Sequence, residues 1–343
     1  LDELSDATAW SPSQRMTAFE AQFSEISAMG AMMCRGLSKH LENISATQQA
    51  RTKKSLAAMA EVTKSVGEDV GTGELQDAYR NYLTDSAQRM ILTLDTLRQR
   101  GDNFIEHEEA GCPPVLAYDY EVVLDGKDLP HPCNYMLLKI LPQDNMEVMD
   151  WKRPYIIIDP RAGHGAGIGG FNPDTPLGAS MRDGPPVYFV SFRRMPETGQ
   201  SLADVTRAEA AFVRKVMELH PESANPVVTG NCQGGWAALL LAATNPDFTG
   251  PLLLNGAPVE TWSGRVGENP MRYNGGVLGG TWHTMLSADL GHGVFDGADI
   301  VQNFEALNPS RNYFGKYYDL YSKVDTEPRR FLDFERWWGG YFL

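Results

Sequence analysis

The 343-residue chain has only four cysteines, Cys34, Cys112, Cys133 and Cys232, and no two of them stand in CxxC spacing. That scarcity argues against a zinc site and against a disulfide framework, and it fits a reducing cytoplasm. No metal centre is therefore expected. Basic residues are outnumbered, since 30 Lys and Arg against 44 Asp and Glu leave a formal net charge of -14. Such a surface repels phosphate backbones and anionic membranes. The basic runs at 51–54 and at Arg329-Arg330 are too short to reverse it, so nucleic acid is not an expected partner. Long apolar runs are missing as well. Tyr155 to Ile158 and Ala237 to Ala243 fall far short of the ~20 residues of a membrane-spanning helix, and no transmembrane segment is expected. There is no basic-then-apolar leader, and the chain opens on Leu1 rather than Met, which implies a trimmed start. With 42% apolar and 22% charged residues, the remainder has the composition of an ordinary globular protein.

Three textures follow one another. Met16, Phe19, Phe23, Ile26, Met33 and Leu37 recur at three-then-four spacing, which puts one stripe on a helix between Ser11 and Gly67. A second helix carries Leu75, Tyr79, Tyr82, Met90, Leu94 and Leu97 and is expected to stop at Gly101, so residues 1–105 read as a helical N-terminal domain. From Val115 the chain turns β-branched and aromatic. Tyr118 to Leu124 and Tyr135 to Ile140 flank Asp125-Gly126 and predict an antiparallel hairpin. A buried strand within 153–160 comes next, then strand Val187 to Phe192, helix Leu202 to Leu219, strand Pro226 to Thr229, helix Gln233 to Thr244 and strand Pro251 to Asn255. Strands alternating with helices of this length make a doubly wound, mostly parallel α/β sheet over 106–259. Residues 260–343, rich in Gly, Asn, Trp and Tyr, read as a partial cap.

Gly230-Asn231-Cys232-Gln233-Gly234 lies between an apolar strand and an Ala/Leu-rich helix, the strand-turn-helix setting of a nucleophile elbow. Such a turn strains its central residue and crowds the positions two before and two after it, where Gly230 and Gly234 supply clearance. Cys232 is thus the candidate nucleophile of an α/β-hydrolase-type core, and the helix N-terminus behind it favours the thiolate. An oxyanion hole needs two backbone N–H groups. Gln233 would give one, and the loop after the first core strand, near Arg161 or Ala162, the other. That loop continues through His164 into Gly165-Ala166-Gly167-Ile168-Gly169-Gly170, a formal GxGxxG. Pro173 and Pro176 then prevent a helix from starting inside the motif, as a dinucleotide fingerprint requires, so no bound cofactor is expected. Downstream of the elbow, where this fold places its acid and then its histidine, only His283 and His292 occur. His292, in Gly291-His292-Gly293, and His164 are the in-chain candidates for a base. At least two core strands are also unaccounted for, which points to a fragment of a longer protein.

From about Tyr79 onward the chain resembles a family of large bacterial proteins of unknown function labelled poly(3-hydroxyalkanoate) synthetase-like. The resemblance lies in Tyr82 to Arg89, Asp95 to Gly101 and Asn308 to Tyr313. More distantly, Val187 to Arg193 and the Gly-x-Cys-x-Gly-Gly elbow are similar to those of polyhydroxyalkanoate synthases. Those enzymes carry the acyl chain on a cysteine with Asp and His partners. The resemblance implies that Cys232 bears the acyl group and that the partners lie beyond Leu343. The expected activity is acyl transfer on hydroxyacyl thioesters or polyesters, with a coenzyme A thioester as substrate and with self-association or granule association through the N-terminal helices. A thioester or ester hydrolase of the same fold, or a non-catalytic granule- or partner-binding scaffold, are the alternatives.

Overall fold

The structure is a computed structural model that describes residues 11–69, 74–143, 146–161, 163, 167, 169–248, 250–260, 282–298, 305 and 307–342. Its principal elements in chain order are α1 (Pro12–Asp69), α2 (Glu74–Glu109), β1 (Tyr120–Asp125), β2 (Tyr135–Ile140), β3 (Tyr155–Ile158) and α3 (Pro176–Met181). There follow β4 (Val187–Phe192), α4 (Leu202–Leu219), β5 (Val227–Asn231), α5 (Gln233–Thr244), β6 (Leu252–Asn255), α6 (Trp282–Leu290), α7 (Lys316–Lys323) and α8 (Pro328–Phe342).

Two compact units divide the chain. One contains α1, α2 as far as Ser86, and Glu260–Phe295; the other contains Ala87–Val259 and Asp296 onward. In the first, α1 runs unbroken for 58 residues and leaves Leu41, Leu56, Met59 and Val62 exposed. None of the described helices is long and apolar enough to cross a membrane.

The second unit is built on a six-stranded sheet in the order β1-β2-β4-β3-β5-β6. β1, β2 and β4 pair antiparallel, whereas β3, β4, β5 and β6 run parallel. The continuous apolar run of β4 is explained by burial on both faces. Against one face pack Val205, Ala208, Phe212 and Val216 of α4 with Ala237, Ala238 and Leu241 of α5, and against the other Leu177 and Met181 of α3. The start of α4 is written locally, since Ser201 and Asp204 form a reciprocal capping box. This is an α/β-hydrolase-type doubly wound sheet with an antiparallel start.

α2 does not stop at Gly101 but continues to Glu109. A mid-helix glycine costs only about 1 kcal/mol, and ion pairs on either side of it hold the helix together. Arg98 bridges Asp95 and Asp102 at 2.9 and 2.5 Å, and Arg100 reaches the buried Glu335 of α8 at 2.5 Å. Lys316 meets the same carboxylate at 2.9 Å, and Arg89 grips Asp325, so α7 and α8 are fastened to the second half of α2. The helix ends where Gly111 and Cys112 take φ of 79° and 53°.

β3 leaves the sheet toward α3 on one face, whereas β5 leaves toward α5 on the other. The chain therefore diverges at the carboxyl ends of these neighbouring strands, the switch point where open α/β sheets place their sites.

Candidate active site

Cys232 sits at that switch point, between the last residue of β5 and the first of α5. Its backbone takes φ 50° and ψ -121°, and it caps α5 without a side-chain hydrogen bond. Its N–H donates to the Asn255 carbonyl at 2.9 Å and its carbonyl accepts from Gly235 N–H at 3.0 Å, so both ends of the turn are pinned. The thiol is half-buried. A Cβ on Gly230 would lie 2.2 Å from the Gly234 carbonyl oxygen, and one on Gly234 would lie 2.3 Å from the Ile158 carbonyl oxygen. Only glycine fits at either position, because the obstacles are backbone. Gly235, the last glycine of the Gly-x-Cys-x-Gly-Gly elbow, is confined by the Ala257 side chain, 2.3 Å from where a Cβ would stand.

The amide of Gln233 stands in the first turn of α5, where N–H groups have no acceptor within the helix and remain available to an anion. Across from it runs the loop after β3. Its anchor is Asp159, 1% exposed, whose carboxylate accepts N–H bonds from Gly167 at 2.5 Å and Gly169 at 2.9 Å. An acid placed directly after Ile156-Ile157-Ile158 and before a glycine-rich loop is the sequence signal for this role. Gly163 turns the loop with φ 72°, and Gly297, from the downstream segment, presses against it so closely that a Cβ would fall 2.3 Å from the Gly163 carbonyl oxygen. Ala162 and His164 lie outside the described residues.

Arg161 is half-buried, its guanidinium 4.5 Å from the Trp236 ring centre and 5.7 Å from that of Tyr135. It is held by cation–π stacking. Its charge acts on a polar group that the hydrophobic pattern of α4 concealed: Glu209, on the apolar stripe between Val205 and Phe212, is 1% exposed. Among the described residues neither of its carboxyl oxygens has a hydrogen-bond partner, and the hydroxyl of Tyr135, 2% exposed, has none either. Burial pushes the Glu209 carboxyl up to about 7, with the charge of Arg161 pulling the other way. Burial likewise raises the Tyr135 phenol and the Cys133 thiol.

His292 belongs to the other compact unit, exposed in the turn after α6 with φ 58°, its N–H on the Asp289 carbonyl. The side chain of His283 lies outside the described residues. Among the other thiols, Cys34 is exposed on α1, Cys133 is buried, and Cys112 donates to Glu108 at 3.3 Å and is raised by burial. No group of three or more His, Cys, Asp or Glu able to hold a metal ion occurs among the described residues.

A family model described as "Protein of unknown function (DUF3141)" matches residues 85–343. The chain belongs to the DUF3141 family. The family match thus takes in the whole sheet, the elbow and the loop after β3. A Rhizobium meliloti protein described as "Uncharacterized protein in ackA 5'region" is 49% identical over 268 residues, 78% of this chain. This DUF3141 chain spans 36% of that relative's length. Solved structures with partial likeness include a probable hydrolytic enzyme from Pseudomonas aeruginosa, at 13% identity and TM-score 0.36 over 66% of this chain and 69% of that one. Another is the Francisella virulence factor BioJ, at 15% identity and TM-score 0.29 over 51% of this chain and 56% of that one. The fold assignment rests on the strand order and the elbow rather than on these likenesses.

Proposed function

We propose that this chain carries a cysteine-dependent acyl-transfer centre, similar to that of polyhydroxyalkanoate synthases, that takes hydroxyacyl groups from thioesters. The observation that carries the reading is the backbone of Cys232. A non-glycine residue at φ 50° and ψ -121° is strained, and it is held so by backbone on both sides at the carboxyl edge of the sheet. Strain of this kind aims a side chain out of a turn; a merely structural cysteine has no need of it. The Cys232 thiolate attacks the thioester carbonyl, a new carbon–sulfur bond forms on Cys232, and the bond to the donor sulfur breaks. The donor leaves as a thiolate that takes up a proton. The two sulfurs are similar in basicity, which favours exchange over hydrolysis. Backbone N–H groups of Gln233 and of the loop after β3 would hold the tetrahedral oxyanion. No bound cofactor is required, and coenzyme A enters only as the leaving part of the substrate. A histidine base is proposed for the second step, when the acyl group passes to a hydroxyl.

The test is the time course of free coenzyme A from a 3-hydroxyacyl coenzyme A thioester. A burst stoichiometric with the chain that disappears in Cys232→Ala supports the reading. An unchanged burst in that variant refutes it, and sustained release of free hydroxy acid without an acceptor would make the centre a hydrolase.

A further inference from the structure

The part of α2 that belongs to the sheet-bearing unit, from Ala87 onward, is built inside out. Arg89, Thr93, Thr96, Arg100 and Asn103 recur at spacings of four and three and make one stripe of the helix polar. Thr96 is buried, Arg89 holds Asp325 and Arg100 holds Glu335, so this polar stripe is the one that meets α7 and α8. Away from it Ala87, Met90, Leu94, Leu97, Gly101 and Phe104 recur at three and four, with Ile91 and Ile105 alongside. Met90, Ile91, Leu94 and Ile105 are 52% to 66% exposed. A Cβ on Gly101 would meet no atom within 4 Å, so the apolar stripe carries an open notch. A surface helix ordinarily turns its apolar side to its own core. Here the chain's own elements take the polar side, and among the described residues the apolar side is left uncovered, as at a site of association.

We propose that this face of α2 is the contact between two copies of the chain, packed antiparallel across a two-fold axis that passes near Asp95 and Thr96. The order of large and small residues along the stripe selects that partner. About this axis Met90 stands opposite Gly101 of the second copy, Ala87 opposite Phe104, and Leu94 opposite Leu97. Each small residue meets a large one, and the symmetry repeats every match. A parallel pair in register would set Gly101 against Gly101 and Ala87 against Ala87, leaving voids. Charge agrees with the antiparallel choice. Arg98, at the edge of the same face, bridges Asp95 and Asp102 of its own helix at 2.9 and 2.5 Å. Reversal brings it within about two residues, or about 3 Å along the axis, of Asp95 in the other copy, so the same charges pair across the contact. The area suffices as well. The exposed parts of Met90, Ile91, Leu94, Phe104 and Ile105 amount to roughly 500 Å², the apolar share of the ~800 Å² that each partner gives to a standard interface. The contact is independent of the acyl-transfer reading of Cys232.

Sedimentation equilibrium of the 343-residue chain should give twice the mass of one copy. Leu94→Glu places two carboxylates close to the axis and should weaken association by about a hundredfold or more. Gly101→Leu fills the notch that Met90 occupies and should weaken it about tenfold. Within one copy nothing stands near that Cβ and a mid-helix glycine is removed, so this variant should fold at least as stably as the parent. Orientation is read from the double variant Met90→Cys, Gly101→Cys, oxidised and mapped by mass. The two positions lie about 16 Å apart on one helix, too far for a disulfide within a copy, so links of 90 to 101 must join two copies. Links of 90 to 90 and 101 to 101 instead overturn the antiparallel contact. A monomer at about 100 μM, above the μM-to-pM range of interfaces this size, overturns the proposal and gives the face to another occupant. So does a dimer that survives Leu94→Glu but dissociates in Met59→Glu, on the exposed stripe of α1.

Discussion

Replacing Cys232 by glycine should give a more stable protein than replacing it by alanine, the reverse of the usual order. At an ordinary position glycine is worse than alanine by about 0.5–1 kcal/mol, because the unfolded chain loses more freedom on folding. Position 232 is held at φ 50° and ψ -121°, a conformation that costs a residue with a Cβ about 1–3 kcal/mol. Alanine keeps that Cβ and its strain, whereas glycine keeps neither. The position also caps α5, where glycine is favoured over alanine by a further few tenths of a kcal/mol. Summed with sign, Cys232→Gly should exceed Cys232→Ala by about 1 kcal/mol or a little more, a melting difference of roughly 1–2 °C in a protein of this size. Both variants lack the thiol, so the comparison isolates the backbone from the chemistry. Urea and thermal unfolding of the two variants side by side give the answer. An alanine variant as stable as the glycine variant would refute the strained turn and with it the reason for regarding Cys232 as aimed.

Gly234→Ala places a Cβ 2.3 Å from the Ile158 carbonyl oxygen and 3.2 Å from its carbon, in the backbone of a strand paired on both sides. It should cost about 3 kcal/mol in a urea titration, at the upper end for overpacking, and a variant that unfolds like the parent contradicts the close approach. Glu209 makes stability depend on pH. Its folded carboxyl stands near 7 against an ordinary 4.5, so between those values the folded protein holds a proton that the unfolded chain has released. Stability therefore falls as pH rises through this window, by about 3 kcal/mol at most, and Glu209→Gln should remove that fall. Parallel stability curves for parent and variant would show that the buried acid does not titrate there.

Much of the core could be read from local pattern. α4, β4 and α5 have the expected ends, since a capping box, a doubly buried apolar run and a glycine-lined turn are each written within a few residues. The elbow was legible for the same reason: the clash that excludes a Cβ at Gly230 comes from Gly234, four residues on. Strand order was not, because the insertion of β3 between β4 and β5 depends on pairing across tens of residues. Nor was the persistence of α2 past Gly101, which depends on Glu335 at the far end of the chain. The stacking of Arg161 on Trp236 and the isolation of Glu209 belong to the same kind. The apolar pattern of α4 hid the acid, and the cation that acts on it comes from another strand's loop. Gly297 resting on Gly163 had no local signal at all.

Acyl transfer through Cys232 is tested most directly by finding where the acyl group goes. The chain is incubated with a 3-hydroxyacyl coenzyme A thioester, quenched in acid, digested and mapped by mass. The account predicts an acyl adduct on the peptide containing Cys232 that neutral hydroxylamine removes, as it removes thioesters. Consumption of the thioester with the adduct on Cys34, Cys112 or Cys133, or with no adduct on Cys232, would contradict it.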